Sequence, residues 1–497
     1  MRLSIVSLCV ALCAGLLVTP AAHAADTVTP STPSAFDEPR ADGVLMSYVV
    51  NAASTRRRDL RATEQAIAAT GGVIVQPWPE IGVYIVHSTD GGFADSVHAR
   101  GAGAVLSAGP TRTVAVAEGT PSTASGWDTV PVRRPPANGD RGAPPTPFTG
   151  TPDPLESVQW DHQAINADQA HAISDGSANV LVGILDSGID DQHVDLAANF
   201  EPTTSVNCAN AGRPDTTPHA WRPVGNPHGN QVAGIVAADR NGVGTVGVAP
   251  GVRIASVRVS RQDDRIYPEY AICGYMWAGG WNMDISNASF TVDPMGVFCD
   301  DQPYQATVNL AVRRAITWSH SRGVLHVAGA GNEGSDFDTT FVYPGSPSDA
   351  TRTARTVNET CAELPAQADN VVAVGAIGPN LYRAPFSNFG LSLVDVAAPG
   401  VQIPTTGNST WTAFTGTSAA TPEAAGVAAL LKSTHPRAGP DRLRDLLFAQ
   451  AIGNPCACTA DEARSKLEGF GRVDALAAVQ RARGSGHHRP GNHPRPR

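Results

Sequence analysis

The alternation of short apolar runs with helical patterns, across roughly residues 153–480, constrains the fold more than any other feature of the chain. The apolar runs that predict strands are VLVGILD, RIASVRV, MDISNASF, VLHVAGAG, VVAVGAI and LVDVAAPG. GNQVAGIVAA and NLAVRRAITWSHSRG instead have helical spacing. Strands that are apolar on both faces belong to parallel sheets covered by helices on both sides. We therefore predict an α/β domain with a doubly wound, mostly parallel sheet.

A smaller unit precedes this domain at residues 45–117. MSYVV predicts a strand, RRDLRATEQAIAAT a helix, and GVIVQPWPEIGVYIVHS two strands around a turn. GGFADSVHARG then predicts a second helix and AVLSAGPTRTVAV a last strand. Two strand–helix–strand units in so short a segment predict a small α+β sandwich of ferredoxin-like type.

The first 24 residues have the pattern of a secretory signal peptide. A basic start is followed by an apolar run too short to span a membrane comfortably and by an A-x-A cleavage site ending at Ala24. A buried N-terminal strand is the alternative. No later segment is long and apolar enough to cross a bilayer, so we expect an exported, soluble chain.

Three further segments are expected to lie outside any packed domain. Residues 25–44 are polar and rich in Pro and Thr, which predicts a flexible lead-in. Residues 118–152 are rich in Pro, Gly, Thr and Ser, which predicts an exposed linker where proteases cut. Residues 481–497 consist mainly of Arg, His, Pro and Gly and are predicted to be a disordered basic tail.

Charge and cysteine content narrow the possible functions. The 497 residues contain 16% charged residues and carry a formal net charge of −10. This composition argues against a disordered chain, and the negative net charge does not favour binding to nucleic acid or to an anionic membrane. Six cysteines remain after the signal, an even number that favours disulfides over zinc in an exported chain. The sequence does not choose among the pairings of Cys208, Cys273, Cys299, Cys361, Cys456 and Cys458.

Four polar residues stand where strands end or helices begin in the large domain. Asp186 ends VGILD, His228 precedes an apolar helix, Asn332 follows VLHVAGAG, and Ser418 begins a helix in FTGTSAATP. Each alone has an ordinary interpretation, such as a helix cap for Ser418. Functional groups in doubly wound sheets nevertheless collect beyond the carboxyl ends of the strands.

Together these residues meet the demands of acyl transfer. A serine hydroxyl needs a base to take its proton, and histidine titrates near working pH. A carboxylate holds the imidazole in the right tautomer, and an amide N–H can stabilise the negative oxygen that develops on the substrate.

The chain resembles the subtilisin family of secreted serine proteases over roughly residues 155–479. The resemblance rests on DSGID, HGNQVAG, GVGTVGVAP, AGNEG, FSNFG, DVAAPG and GTSAATP, and on the order Asp, His, Ser that is known for subtilisin. It implies that Asp186 is the orienting acid, His228 the general base and Ser418 the nucleophile. It also implies that Asn332 is the oxyanion donor.

The resemblance extends to substrate and precursor. In relatives, two backbone segments grip extended substrate, and these match Ser289-Phe290-Thr291 and Gly329-Ala330-Gly331. Residues 45–117 resemble the inhibitory propeptide that relatives remove on maturation. We therefore expect polypeptide substrates, the chain's own propeptide as an intramolecular inhibitor, and a monomer.

The chemistry requires no cofactor, but structural calcium is common in the family. Asp195 and Asn241 stand where relatives bind it through oxygen ligands. Arg240 occupies a place where an oxygen ligand would be expected, and ordinary turn residues are the alternative interpretation.

Four positions depart from the usual family motifs. Asn230 and Gln231 replace Thr and His in HGTHVAG, while Ala419 and Glu423 replace Met and His after the serine. These changes leave open a catalytically weak or silent relative that only binds peptides.

Two other classes of hydrolase fit the sequence less well. An α/β-hydrolase esterase fails on chain order and on Ala420, where a G-x-S-x-G elbow needs glycine. A sedolisin-like acid peptidase is disfavoured by the pair His228-Gly229. The favoured hypothesis is a secreted endopeptidase of broad specificity.

Overall fold

The computed structural model describes residues 29–119, 151–453 and 464–480. Outside these residues lie the segment predicted as a signal peptide, most of the predicted linker, the predicted C-terminal tail, and Cys456 and Cys458. The predictions for these segments stay open.

The N-terminal unit is a four-stranded antiparallel sheet with two helices, in the order βαββαβ. Its elements are β1 Met46–Ala52, α1 Arg57–Ala69, β2 Val73–Trp78, β3 Val83–Ser88, α2 Phe93–Arg100 and β4 Val105–Pro110. The strand order β2-β3-β1-β4 is that of a ferredoxin-like sandwich. β1 is central and pairs with both β3 and β4.

The large domain is built on a seven-stranded sheet whose neighbouring strands are all parallel, in the order β15-β14-β10-β8-β5-β7-β6. Its strands are β5 Leu181–Asp186, β6 Val206–Asn207, β7 Arg253–Arg258, β8 Ile285–Ala288, β10 Leu325–Gly329, β14 Val371–Ile377 and β15 Val396–Pro399. Each of the six apolar runs identified in the sequence forms one of these strands. The predicted doubly wound, mostly parallel sheet is therefore confirmed.

Helices cover both faces of this sheet. They are α3 Trp160–Ala164, α4 Ala167–His171, α5 His228–Ala237, α6 Pro268–Gly280, α7 Pro303–Ser321, α8 Thr417–Thr434, α9 Pro440–Ala449 and α10 Ala475–Val479. One buried cluster packs α6 and α7 against one face, and another packs α5 and α8 against the other. Among the described helices, none has the length and apolarity needed to cross a membrane.

Three two-stranded antiparallel sheets and three 3₁₀ turns complete the described parts of the chain. The paired strands are β9 Val297–Cys299 with β13 Cys361–Glu363, β11 Phe341–Ser346 with β12 Thr353–Val357, and β16 Ile403–Thr406 with β17 Trp411–Phe414. The 3₁₀ turns are Ala35–Asp37, Glu156–Val158 and Pro202–Thr204.

Disulfides link segments far apart in the sequence. Cys208, just after β6, bonds to Cys273 in α6, and Cys299 in β9 bonds to the facing Cys361 in β13. For these four cysteines the structure agrees with the expectation of disulfides rather than zinc.

The N-terminal unit packs on α7 and α6 of the large domain. Asn51 donates to the carbonyl of Thr307 at 3.0 Å, and Arg314 donates to the carbonyl of Ala52 at 3.1 Å. A buried ion pair joins the guanidinium of Arg112, just after β4, to the carboxylate of Glu269 in α6. These contacts dock one domain on the other.

Two segments predicted to lie outside the packed domains contain residues that pack against them. Residues 29–44 are not a flexible lead-in, because Phe36 is fully buried against the large domain and several neighbours are hydrogen-bonded. The ordered N-terminal unit also continues to Gly119. Glu118, predicted to begin the linker, accepts hydrogen bonds from Arg112 and Tyr270.

Candidate active site

Asp186 and His228 are joined directly at the carboxyl edge of the sheet. Asp186 is the last residue of β5, and His228 is the first residue of α5. The Nδ1 atom of His228 lies 2.7 Å from Oδ1 of Asp186, which also accepts the backbone N–H of Ser187 at 2.7 Å. The carboxylate thus fixes the orientation of the imidazole.

The close approach of two glycines brings these residues together. A Cβ atom on Gly229 would lie 2.2 Å from the carbonyl oxygen of Gly188, and Gly188 itself has φ +112°. Ser187 Oγ accepts the Gly229 N–H at 2.9 Å across the same gap. The motifs DSG and HG therefore need glycine because the backbones of the two segments touch.

The electrostatics of His228 favour its charged form. Burial lowers the pKa of His228, but the charge of Asp186 and its hydrogen bond outweigh burial, so the pKa lies above its ordinary value. The ring of Phe414 meets the imidazole edge-on, with centroids 5.1 Å apart. Such a histidine can accept a proton and hold the resulting charge.

Ser418 lies in the first turn of α8, which begins at Thr417. Its hydroxyl donates to the carbonyl of Ser289 at 3.0 Å, and Ser289 Oγ donates back to the carbonyl of Ser418 at 3.0 Å. α8 packs against α5, the helix that carries His228. Ser418 is thus held by the segment after β8, with its hydroxyl directed to Ser289 rather than to His228.

Asn332 is held to the same turn through its oxygen. Its Oδ1 accepts from the Thr417 N–H at 2.9 Å and from Thr417 Oγ1 at 3.1 Å. Asn332 is itself exposed, so the residue is accessible to a bound molecule. An amide held in this way is a preorganised donor for an oxygen of a bound molecule.

The segments predicted to bind substrate flank these side chains. Ser289-Phe290-Thr291 follows β8, and Gly329-Ala330-Gly331 ends β10 and continues beyond it. Beside them lies a cavity of about 280 Å³ whose lining includes Thr291, Glu333 and Tyr343. The structure therefore brings both segments, Ser418 and Asn332 to one edge of the sheet.

Two of the residues that differ from the usual family motifs pack close to the predicted site. Asn230 is buried, accepts the Asp190 N–H at 2.7 Å and donates to the Gly407 carbonyl at 3.1 Å. Ala419 packs with Ile235 in a small apolar cluster. Both residues support the turns that carry His228 and Ser418.

Glu423 forms a buried acidic pair with Asp161 of α3. Burial raises the pKa of Glu423 well above its ordinary value and raises the pKa of Asp161 to about 7. The raised pKa values favour a protonated form of the pair, which avoids two negative charges in an apolar region.

The residues proposed for calcium do not fit that ion. Asp195 accepts hydrogen bonds from Trp411 Nε1 at 2.5 Å, from the Thr245 N–H at 3.3 Å and from Asn241 Nδ2 at 3.3 Å. Arg240 binds both carboxylate oxygens of Glu156 at 2.8 Å. Calcium needs oxygen ligands, whereas N–H donors surround Asp195. In the described parts of the chain, no group of three or more His, Cys, Asp or Glu could hold a metal.

Sequence reasoning missed several supporting groups. Phe414 was not identified as a neighbour of His228, nor the side chain of Ser289 as a contact of Ser418. Asn287 donates to Ser289 Oγ at 2.9 Å and holds it in place. The available signal was the polar residues Asn287 and Ser289, at the end of β8 and just after it.

A doubly wound α/β fold that gathers Asp186, His228, Asn332 and Ser418 in this chain order defines a serine protease class. A model described as the subtilase family matches residues 177–479. The chain belongs to the subtilase family of serine endopeptidases.

Relatives and solved structures agree with this assignment. Subtilisin E of Bacillus subtilis (strain 168) is 33% identical over 65% of this chain and 72% of its own length. Subtilisin BL of Lederbergia lenta is 33% identical over 65% of this chain and its entire length. A protease from Pseudoalteromonas arctica has a TM-score of 0.52 at 28% identity, covering 66% of this chain and 99% of that one.

The epidermin leader peptide processing serine protease of Staphylococcus aureus is similar over a longer span. It covers 89% of this chain and 100% of its own, with a TM-score of 0.64 and 20% identity. At that identity the likeness supports the fold alone.

Proposed function

We propose that this subtilase is a secreted endopeptidase that cleaves peptide bonds with Ser418 as nucleophile, His228 as general base and Asp186 as orienting acid. The observation that carries the proposal is the 2.7 Å contact between Asp186 Oδ1 and His228 Nδ1 at the edge where Ser418 begins α8. This contact leaves Nε2 of His228 as the nitrogen that faces substrate.

The reaction begins when Ser418 Oγ attacks the carbonyl carbon of the substrate and passes its proton to His228 Nε2. The carbonyl oxygen becomes negative and accepts hydrogen bonds from the Asn332 amide and the Ser418 backbone N–H. His228 then protonates the leaving amine. Water repeats the sequence on the acyl-enzyme and releases the carboxylic acid product.

The hydroxyl must turn from the Ser289 carbonyl toward His228 before attack. A rotation about one side-chain bond moves Oγ between these partners, and such rotations are fast. The elevated pKa of His228 matches its role, because the imidazole must hold the proton while the intermediate exists.

Substrate is expected to bind as an added strand. The backbone of Ser289-Phe290-Thr291 would pair with one side of an extended peptide, and Gly329-Ala330-Gly331 with the other. Main-chain pairing makes few demands on sequence, which supports broad specificity.

We further propose that residues 45–117 form an inhibitory propeptide and that maturation cuts the linker. The proposal is supported by the ferredoxin-like unit that docks on α6 and α7 and by the long Pro/Gly-rich segment that follows it. Ser418→Ala should then accumulate uncut precursor, whereas normal processing of that variant would point to another protease.

A silent peptide-binding relative is the second candidate, and the hydrogen bond of Ser418 Oγ to Ser289 favours it. A fluorophosphonate probe separates the two functions, because it labels only an activated serine. Labelling of Ser418 at neutral pH, lost in His228→Ala, is expected for the protease. A correctly matured wild-type protein that stays unlabelled would establish the silent relative.

A further inference from the structure

The chain before β1 crosses the large domain instead of packing only on the ferredoxin-like unit. We call residues 29–40 the N-terminal strap. The Thr32 N–H donates to the Thr356 carbonyl at 3.1 Å, and the Thr356 N–H donates to Thr32 Oγ1 at 3.0 Å. Thr356 lies in β12, so the strap meets the outer edge of the β11–β12 hairpin.

Polar contacts fix the start of the strap. The Ser31 N–H donates to Asp301 Oδ2 at 2.9 Å, and Ser31 Oγ donates to the other oxygen of the same carboxylate. Asn358 Nδ2 donates to the Thr29 carbonyl at 2.8 Å, and Gln302 Nε2 donates to the Ser31 carbonyl at 3.3 Å. Every one of these partners belongs to the large domain.

An aromatic anchor fixes the middle of the strap. Phe36 is 0% exposed and meets Phe298 edge-on, with ring centroids 6.2 Å apart. Gln305 of α7 donates to Asp37 Oδ2 at 2.8 Å. Arg40 closes the turn by donating to the carbonyls of Ala35 and Phe36 at 2.7 and 2.8 Å. A buried aromatic side chain surrounded by hydrogen bonds is typical of the residues that dominate binding interfaces.

The surface that receives the strap is built from groups that hold one another. Cys299 and Cys361 cross-link it, and Arg355 is buried beneath it. Arg355 donates to the Val297 carbonyl at 2.7 Å and to Gln305 Oε1 at 3.3 Å. These bonds do not involve the strap and so do not depend on its presence.

The same surface adjoins the cavity beside the predicted substrate-binding segments. Ser34 Oγ lies 3.8 Å from the sulfur of Met295, and Met295 lines the cavity together with Thr291 and Glu333. The strap therefore contacts, from outside, a loop that also lines this cavity.

We propose that the large domain carries a peptide-binding groove, separate from the active-site cleft, whose ligand is the N-terminal strap of its own precursor. The groove is lined by Met295, Phe298, Asp301, Gln305, Thr356 and Asn358. The functional consequence of this groove rests on the proposed maturation. A pro-region that is bound at two sites dissociates from the enzyme slowly after the linker is cut.

Hydrogen exchange on the full-length Ser418→Ala chain tests the groove without requiring activity. In Phe36→Ala, and more mildly in Ser31→Ala, the Thr356 amide should exchange at least tenfold faster, with β1–β4 unchanged. Glu38→Ala, at an exposed position in the same strap, is the control. In this variant the Thr356 amide should exchange at the same rate as in the Ser418→Ala chain. Unchanged exchange at Thr356 in both strap variants, or an equal rise throughout β1–β4, overturns the proposal.

A second measurement follows maturation of the active chain. The delay between linker cleavage and full activity should shorten at least fivefold in Phe36→Ala, and an identical delay would contradict a second anchor. A wild-type chain that neither cuts its linker nor cleaves peptides would refute the proposed function, while the exchange experiment would still decide the groove.

Discussion

Arg112→Met should weaken the docking of the ferredoxin-like unit more than any surface change in that unit. The Arg112 side chain is 2% exposed and that of Glu269 is 0% exposed. Arg112 also donates to the hydroxyl of Tyr270 at 3.1 Å, and its guanidinium lies 4.0 Å from the ring centroid of Tyr267. Removing the arginine leaves the Glu269 carboxylate buried without its cation.

Breaking a buried ion pair on one side costs about 3–5 kcal/mol, because the remaining charge is uncompensated. Since about 1.4 kcal/mol corresponds to a tenfold change in an equilibrium constant, docking should weaken by a factor of roughly 10²–10³ or more. Replacing both partners by Met should recover most of the loss, because two apolar groups of similar size need no partner.

Equilibrium urea unfolding of the full Ser418→Ala chain measures these costs. We would compare Arg112→Met, Glu269→Met and the double variant, with Arg58→Met as control because Arg58 pairs with Asp59 at the surface. A single-variant cost below about 1 kcal/mol, or a double variant as unstable as the sum of the singles, would refute the reasoning.

Other perturbations test the site and its supports. Asn332→Leu should lower kcat by about 10²–10³ with little change in KM, because the amide acts on charge that develops only in the transition state; a change confined to KM would contradict this role. The kcat/KM of the wild-type enzyme should rise with pH through the elevated pKa of His228, and Asp186→Asn should move this limb to lower pH besides slowing the reaction; an unmoved limb would mean that another group titrates. The raised pKa values of Asp161 and Glu423 mean that the folded state binds extra protons, so their stabilisation is present in acid and lost as pH rises through about 7. Glu423→Gln should therefore raise Tm at pH 8 relative to wild type and flatten Tm between pH 5 and 8, and parallel curves would count against the pair. Chelator should leave Tm unchanged, because N–H donors occupy the oxygens of Asp195; a fall of several degrees would reveal a bound cation.

The sequence predicted those strands, helices and site residues that are marked by patterns of neighbouring residues. Runs such as VLVGILD identify buried parallel strands because burial on both faces leaves no polar position. Asp186, His228, Asn332 and Ser418 were predicted to lie together because each ends or follows a strand or opens a helix, and doubly wound sheets gather such positions at one edge.

What the sequence did not predict depends on partners distant along the chain. Phe36 is one aromatic in a polar segment, and nothing nearby signals the pocket formed with Phe298. Nothing in the local sequence around Arg112 or Glu269 indicates the buried ion pair that they form. The disulfide between Cys299 and Cys361 likewise depends on the pairing of β9 with β13. The sequence alone does not indicate that pairing.

The contact of Gly229 with the carbonyl of Gly188 makes main chain, rather than side chain, the spacer between the acid and the base. Neighbouring side chains can then be substituted without changing the distance from Asp186 to His228. Tolerance of Asn230 and Gln231, where relatives carry other residues, follows from that spacer, and so does the intolerance of any residue larger than glycine at position 229.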